Sequence, residues 1–226
     1  MRGGRKLVYV GPTLWRGEAA GLDFALDDWV VLPPARRGDV QRAVLAASTP
    51  GVIAVVDGYF HLEHLAVGHQ ELRAAIEAGW QVWGLSSMGA IRAAEMRSLG
   101  MRGFGAVYQR FVDDPRFRDD EVALLHEPSP PYRTFSEPLV HVRAGLEALG
   151  REGLAAADAE RILAALYPLW FGDRTAARIH QAAAAVIGDG AATAWLARFD
   201  EFQRKSQDLA GFLEGPGGAG RPPGVE

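Results

Sequence analysis

The chain has 226 residues, 48% of them hydrophobic, which is enough to bury a real core as one large domain or as a domain with an appendage. It contains no cysteine, which excludes disulfides, thiolate metal sites, a catalytic thiol and a persulfide relay. A formal net charge of −4 gives no bulk electrostatic reason to bind nucleic acid, and no apolar run reaches the roughly 18 residues of a membrane span.

The basic start, Met1 to Lys6, is followed by too short an apolar run for a signal peptide, so the chain reads as cytoplasmic. Lys6–Val10 is a short apolar run ending in Gly11-Pro12-Thr13, a strand and then a turn. Leu14–Leu22 reads as a short helix. Trp29–Leu32 is a second strand, stopped by Pro33-Pro34. Gly38-Asp39 can cap a helix over Val40–Ala47. Val52–Val56 is a third strand, ending in Asp57-Gly58. Gln70–Ala78 is helical and Gly79 ends it. Gln81–Leu85 is the fourth strand, and Ser87–Leu99 is the helix after it. Residues 100–120 read as a loop, and Glu121–Leu125 is a candidate fifth strand closed by His126.

Continuous apolar strands that alternate with helices imply a parallel sheet buried on both faces. The predicted fold is α/β: a doubly wound parallel sheet of four to five strands with an α-helical C-terminal region. The expected domains are an α/β core over 1–135, helices over 136–213 and a disordered Gly/Pro-rich tail over 214–226. Ligands of such sheets bind outside the carboxyl ends of the strands. Here those ends carry Gly11-Pro12-Thr13, Pro33-Pro34, Asp57-Gly58-Tyr59 and Ser86-Ser87.

Leu85-Ser86-Ser87-Met88-Gly89 resembles a nucleophile elbow whose first glycine is displaced by one, at Gly84. Ser87 would then attack, and the Met88 N–H would hold an oxyanion at the helix N-terminus. The alternative is an ordinary serine cap, with Gly89 present for close packing. Asp57 ends an apolar strand as a candidate catalytic acid, metal ligand or base-orienting group, or as a plain Asp-Gly turn. Arg92 and Glu95, three apart on one helix, can pair with each other, and Arg92 can also reach an anion at the elbow. Glu71 sits in a first helical turn, as a carboxylate for chemistry or for the dipole. His61, His64, His69 and Glu63 read more readily as a polar loop than as a metal site. Asp119-Asp120-Glu121 is a candidate cation-binding turn or a solvated acidic one, and His126 is placed as a general base.

Several runs together are more specific than any one of them. They are Val10-Gly11-Pro12-Thr13-Leu14, Pro33 to Asp39, Val56-Asp57-Gly58-Tyr59-Phe60, His69-Gln70-Glu71-Leu72, Ser86 to Glu95, Gly100 to Gly105, and Asp119 to Ala123 with His126. The sequence resembles the TfuA-like family over roughly residues 7–145. It departs in having Thr13 where Ser is usual and Gln70 where Lys is frequent.

The resemblance implies partnership with a YcaO enzyme in backbone thioamidation of a ribosomally made precursor peptide. It also implies sulfur delivery from a ThiS-like ubiquitin-fold carrier, either by hydrolysing the carrier's C-terminal thiocarboxylate or by recruiting the carrier to YcaO as a non-catalytic adaptor. The elbow alone would suggest a generic serine hydrolase. On the hydrolase reading Ser87, Asp57, His126 and Glu71 are the catalytic candidates. Gly11, Thr13, Gly58, Met88, Gly89, Arg92, Glu95, Asp120 and Glu121 are the substrate-contacting ones. No cofactor and no resident metal are expected.

Overall fold

The computed structural model describes residues 4–17, 22, 26–59, 62 and 64–218. Residues 18–21 of the helix expected over Leu14–Leu22 fall outside the described residues, as do Phe60, His61, Glu63 and the tail beyond 218.

Two compact units are formed. One comprises the chain up to Phe117 together with the segment from Lys205 on, and the other is Arg118–Arg204. The first unit is built on β1 (Lys6–Tyr9), β2 (Val30–Leu32), β3 (Val52–Val55), β4 (Gln81–Leu85) and β5 (Arg102–Phe104). All pairings are parallel, in the order β2-β1-β3-β4-β5. Between β2 and β5 run α1 (Asp39–Leu45), α2 (His69–Glu77) and α3 (Met88–Met96), and α4 (Gly105–Asp113) follows β5. This is the expected α/β fold.

Each strand feeds both faces through its two-residue period. Leu7, Tyr9, Ile53, Val55 and Val82 face a core completed by Val40, Leu72, Ala75, Ala93 and Met96 of α1–α3. Val8, Val10, Ala54, Val56, Trp83 and Leu85 face the other way, onto Leu209, Phe212 and Leu213. Those three belong to α9 (Arg204–Glu214), the last helix of the chain. The Phe212 ring packs on Trp29, Trp83 and Phe104, with centroids 5.8, 5.4 and 5.8 Å away. Strand order reverses between β1 and β3, so right-handed crossovers put α1–α3 on one face. The opposite face is left for the β1–β2 connection and α9.

Two expectations are corrected. The fifth strand is not Glu121–Leu125. Asp119–Glu121 is one 3-10 turn, and His126 makes only an isolated bridge with Thr134. The fifth strand is Arg102–Phe104, within the stretch read as loop, and it is followed by α4. Three residues with a central glycine carry no apolar run. Their strand character comes from pairing with Trp83, Gly84 and Leu85. The sequence pattern reads Ala191–Leu213 as a single helix of the C-terminal region, and this too is corrected: it is two, because its apolar residues serve two cores. Phe199 and Phe202 are buried with the helices of the second unit, whereas Leu209, Phe212 and Leu213 are buried on the sheet.

The second unit packs α5 (Leu139–Arg151), α6 (Ala156–Leu166), α7 (Ala176–Ile187) and α8 (Asp189–Ala197) around Leu146, Ile162, Leu166, Ile179 and Trp195. Among the described residues, no helix is long and apolar enough to cross a membrane.

Candidate functional site

The order β2-β1-β3-β4-β5 places a topological switch point between β1 and β3, where open parallel sheets form their crevices. In the first unit the buried polar side chains among the described residues are Thr13, Asp57, Ser86, Ser87, Lys205, Ser206 and Asp208. All seven gather at the carboxyl edge of the sheet: Thr13 follows β1, Asp57 follows β3, Ser86 and Ser87 follow β4, and the last three are bonded to that edge from α9.

Asp57 is 2% exposed and saturated. The Gly11 and Thr13 N–H groups donate to its Oδ2, each at 2.9 Å, and Thr13 Oγ1 donates to Oδ1 at 2.8 Å. Asp57 therefore pegs the β1 loop to the end of β3, across the switch point. Gly11 and Thr13 act here as donors to Asp57, which makes the Thr13 hydroxyl part of the peg. Beside it, Gly58 lies against the Met88 side chain, and a Cβ at Gly58 would collide with Met88.

The turn after β4 is strained at Ser86, not at Ser87. Ser86 has φ of +64°, whereas Ser87 has φ −136° and ψ −128°. A left-handed serine is the kind of strained residue found at functional turns, and here it reverses the chain from β4 into α3. The Ser86 hydroxyl donates to the Lys205 carbonyl at 2.8 Å. The spacing Gly84-x-Ser86 pointed to this residue, because Ser86 stands where an elbow with an undisplaced first glycine would put its serine.

Ser87 precedes α3 but its side chain caps nothing. It is 4% exposed and has no hydrogen-bond partner among the described residues. The Met88 N–H likewise has no acceptor among them, while the Gly89 N–H donates to Val56 O at 3.1 Å. Gly89 is a packing glycine: a Cβ there would run into the Val55 carbonyl, and one at Gly84 would strike Gly89 O. Bare backbone at both positions lets the N-terminus of α3 come down onto the ends of β3 and β4.

The other expected residues of this unit are engaged nearby. Glu71 accepts from the Gly38 N–H (3.1 and 2.9 Å to its two oxygens) and from the Gly68 N–H (3.0 Å), so it caps α2 and ties the β2–α1 loop to it. Tyr9 donates to Asp39 O at 3.0 Å. Burial first, then the Asp39 and Glu71 carboxylates, push the Tyr9 phenol well above its ordinary range. Arg92 donates through Nε to Val67 O (3.0 Å) and through Nη1 to Glu95 (2.7 Å), and Glu95 also meets His69 Nε2 at 2.7 Å.

Asp120, Glu121 and His126 belong to the second unit. Glu121, 1% exposed, receives a bidentate pair from Arg143, at 2.9 Å from Nε and 2.6 Å from the second nitrogen. Asp120 is held by Arg174, which has no exposed surface and donates to its carboxylate at 2.6 Å and to its carbonyl at 2.7 Å. His126 Nδ1 lies 2.6 Å from Glu127 O.

Lys205, Ser206 and Asp208 were missed by sequence reasoning. Ser206 Oγ donates to Thr13 O at 2.7 Å, and Asp208 accepts from the Ala106 and Val107 N–H groups at 2.9 Å each, capping α4 after β5. One signal was available: of 24 basic residues only Lys6 and Lys205 are lysine.

A parallel α/β unit whose buried polar groups lie on its carboxyl edge defines the class. Within that class the chain belongs to the TfuA-like protein family, whose sequence profile matches residues 57–175, more than half of the chain. The match starts at Asp57 and extends past residue 145, so it takes in the end of α5 and all of α6, which lie beyond the span of the resemblance. No curated protein matches the chain. Family membership suggests a role in thioamide biosynthesis and implies a partner protein.

Proposed function

We propose that this chain delivers sulfur to a YcaO enzyme during backbone thioamidation of a precursor peptide, by releasing sulfide from the C-terminal thiocarboxylate of a ThiS-type carrier. The observation that carries the proposal is a Ser87 hydroxyl beside a Met88 N–H, neither with a hydrogen-bond partner among the described residues, at a strand end whose other polar groups are held in place. An extended carrier tail laid across the strand ends would bring its terminal group to that spot.

The chemistry balances as follows. Ser87 Oγ bonds to the thiocarboxylate carbon, and its proton passes to sulfur. The carbon–sulfur bond breaks with its electron pair, releasing HS⁻ and leaving an acyl-serine. Water then hydrolyses the ester, giving carrier carboxylate, a proton and free Ser87. Attack with proton transfer to sulfur moves the negative charge onto the former carbonyl oxygen, where the Met88 N–H at the N-terminus of α3 would stabilise it.

The adaptor reading has one observation in its favour. Among the described residues no carboxylate or imidazole is bonded to Ser87 Oγ, since Asp57 and Glu71 are engaged with backbone donors. One experiment separates the two. Thiocarboxylated carrier is incubated with the protein alone, without YcaO, and carrier mass and free sulfide are followed. Conversion to carboxylate with equimolar sulfide is expected. An unchanged carrier mass would leave the protein as an adaptor.

A further inference from the structure

The carboxyl edge is closed. Thr13, Asp57, Ser86, Ser87 and Met88 are all buried, so a carrier tail reaches Ser87 only after some part of the edge moves. The ties at this edge are of unequal strength. Asp57 holds the β1 loop through its carboxylate, and Asp208 holds the N-terminus of α4 in the same way. Such charge-assisted bonds are roughly twice as strong as neutral ones. Two neutral bonds tie residues 205 and 206 to the strand ends, from Ser86 Oγ to Lys205 O after β4 and from Ser206 Oγ to Thr13 O after β1. β3 lies between those strands, so the first turn of α9 spans about 10 Å of the edge.

The two halves of α9 are built differently. Leu209, Phe212 and Leu213 are buried in the apolar core on the sheet, and exposing them to water is costly. Lys205, Ser206 and Asp208 are buried and polar, and each is engaged with its neighbours. Water can take the place of a polar group's partners but not of apolar packing. The first turn can therefore part from the edge while the rest of the helix stays seated. Gln203 gives it a place to bend: with φ −72° and ψ 70° it separates the 3-10 turn Phe199–Phe202 from α9. Asp208, bonded to α4, marks the other end of the movable stretch.

The first turn is also coupled to the elbow. Ser86 is held at φ +64°, and such strain persists only where the surroundings enforce it. The bond from its hydroxyl to Lys205 O is part of that enforcement, and Ser87 is the next residue.

We propose that residues 204–207 form a strap, latched across the strand ends in this structure, that lifts to admit the carrier tail to Ser87. Lifting breaks the Ser86 and Ser206 bonds, opens the edge and lets the Ser86 turn adjust around the entering tail. This deepens the sulfide-release reading, on whose choice of site it rests.

The test reads the strap apart from turnover. The chain has no cysteine, so Ser206→Cys gives it a single thiol, at a position that is 1% exposed. A thiol reagent labels that position only when the strap is up. The probe is a ThiS-type carrier ending in a plain carboxylate, and an excess of it should speed labelling about tenfold or more. In wild type, hydrogen exchange of the Leu209 N–H, whose helical acceptor is Lys205 O, should quicken on adding the carrier, while that of Leu213 should not. This arm needs no variant. Ser206→Ala should bind the carrier about fivefold more tightly, because one latch bond no longer opposes opening. Labelling and exchange that ignore a saturating carrier overturn the proposal, as does unchanged or weaker binding in folded Ser206→Ala. If the carrier lifts the strap but its thiocarboxylate form releases no sulfide, the hydrolase reading falls and the strap stands. Sulfide release with labelling and exchange unmoved does the reverse, and a carrier that does not bind overturns both.

Discussion

Asp57 and Ser87 stand at the ends of adjacent strands, both almost wholly buried, and they differ in one respect. Asp57 accepts three hydrogen bonds from the β1 loop, whereas Ser87 makes none among the described residues. A buried polar group with partners is explained by architecture. One without them, at the edge where ligands bind in this fold class, calls for a ligand. The carboxylates of the second unit side with Asp57, because Asp120 and Glu121 are each held by an arginine. Of the residues that sequence nominated for chemistry, Asp57, Glu71, Asp120 and Glu121 accept hydrogen bonds from their surroundings, and the Ser87 hydroxyl has no partner among the described residues.

The sharpest way to break this contrast is to remove the peg. Asp57→Ala leaves two N–H groups and one hydroxyl buried without an acceptor, at roughly 1–3 kcal/mol each, so a loss of about 3–9 kcal/mol is expected in urea unfolding. A loss under about 1 kcal/mol would show that Asp57 is dispensable to the fold and free for chemistry. Glu121→Ala should cost about 3–5 kcal/mol, since it strands a half-buried Arg143 guanidinium. If Glu121 instead contacts substrate, the variant will fold normally and lose activity.

How much of this was visible in the sequence follows from the same contrast. The four apolar strands were legible because each is a continuous run bounded by Gly, Pro or Asp. β5 was not, because Arg102-Gly103-Phe104 owes its conformation to a partner strand rather than to its own pattern. That polar groups collect at the strand ends was legible from chain order alone. Which of them are free was not. Whether Asp57 is an acid or an anchor depends on Gly11 and Thr13, 46 and 44 residues away. Lys205 was hidden because helical periodicity cannot say which core a helix serves. The strain at Ser86 was half visible in Gly84-x-Ser86.

Smaller effects sharpen the geometry. Gly89→Ala should lose about 1–3 kcal/mol or more, because the new Cβ meets the Val55 carbonyl and pushes α3 away from β3. It should abolish sulfide release at temperatures where the variant is still folded, since the Met88 N–H moves with the helix. Tyr9 tests the pegged side by pH. Its phenol titrates higher folded than unfolded, so its contribution is intact below about pH 10 and is lost as pH rises beyond that. By pH 11 the loss is about 1.4 kcal/mol, and Tyr9→Phe should remove that share of the alkaline slope in urea midpoints taken at pH 9 and 11.

Ser87→Ala has the smallest effect on stability and decides the most. The hydroxyl neither caps α3 nor bonds elsewhere among the described residues, so its loss leaves no buried partner orphaned. The urea midpoint should shift by less than about 0.5 kcal/mol, against the roughly 1 kcal/mol of a working serine cap. Sulfide release from the thiocarboxylated carrier should fall at least about a hundredfold, with carrier binding retained. An equal loss of stability would mean that Ser87 is a fastener like Asp57. Full turnover with full stability would move the attack to a water molecule and leave the Met88 N–H as the group that holds the anion.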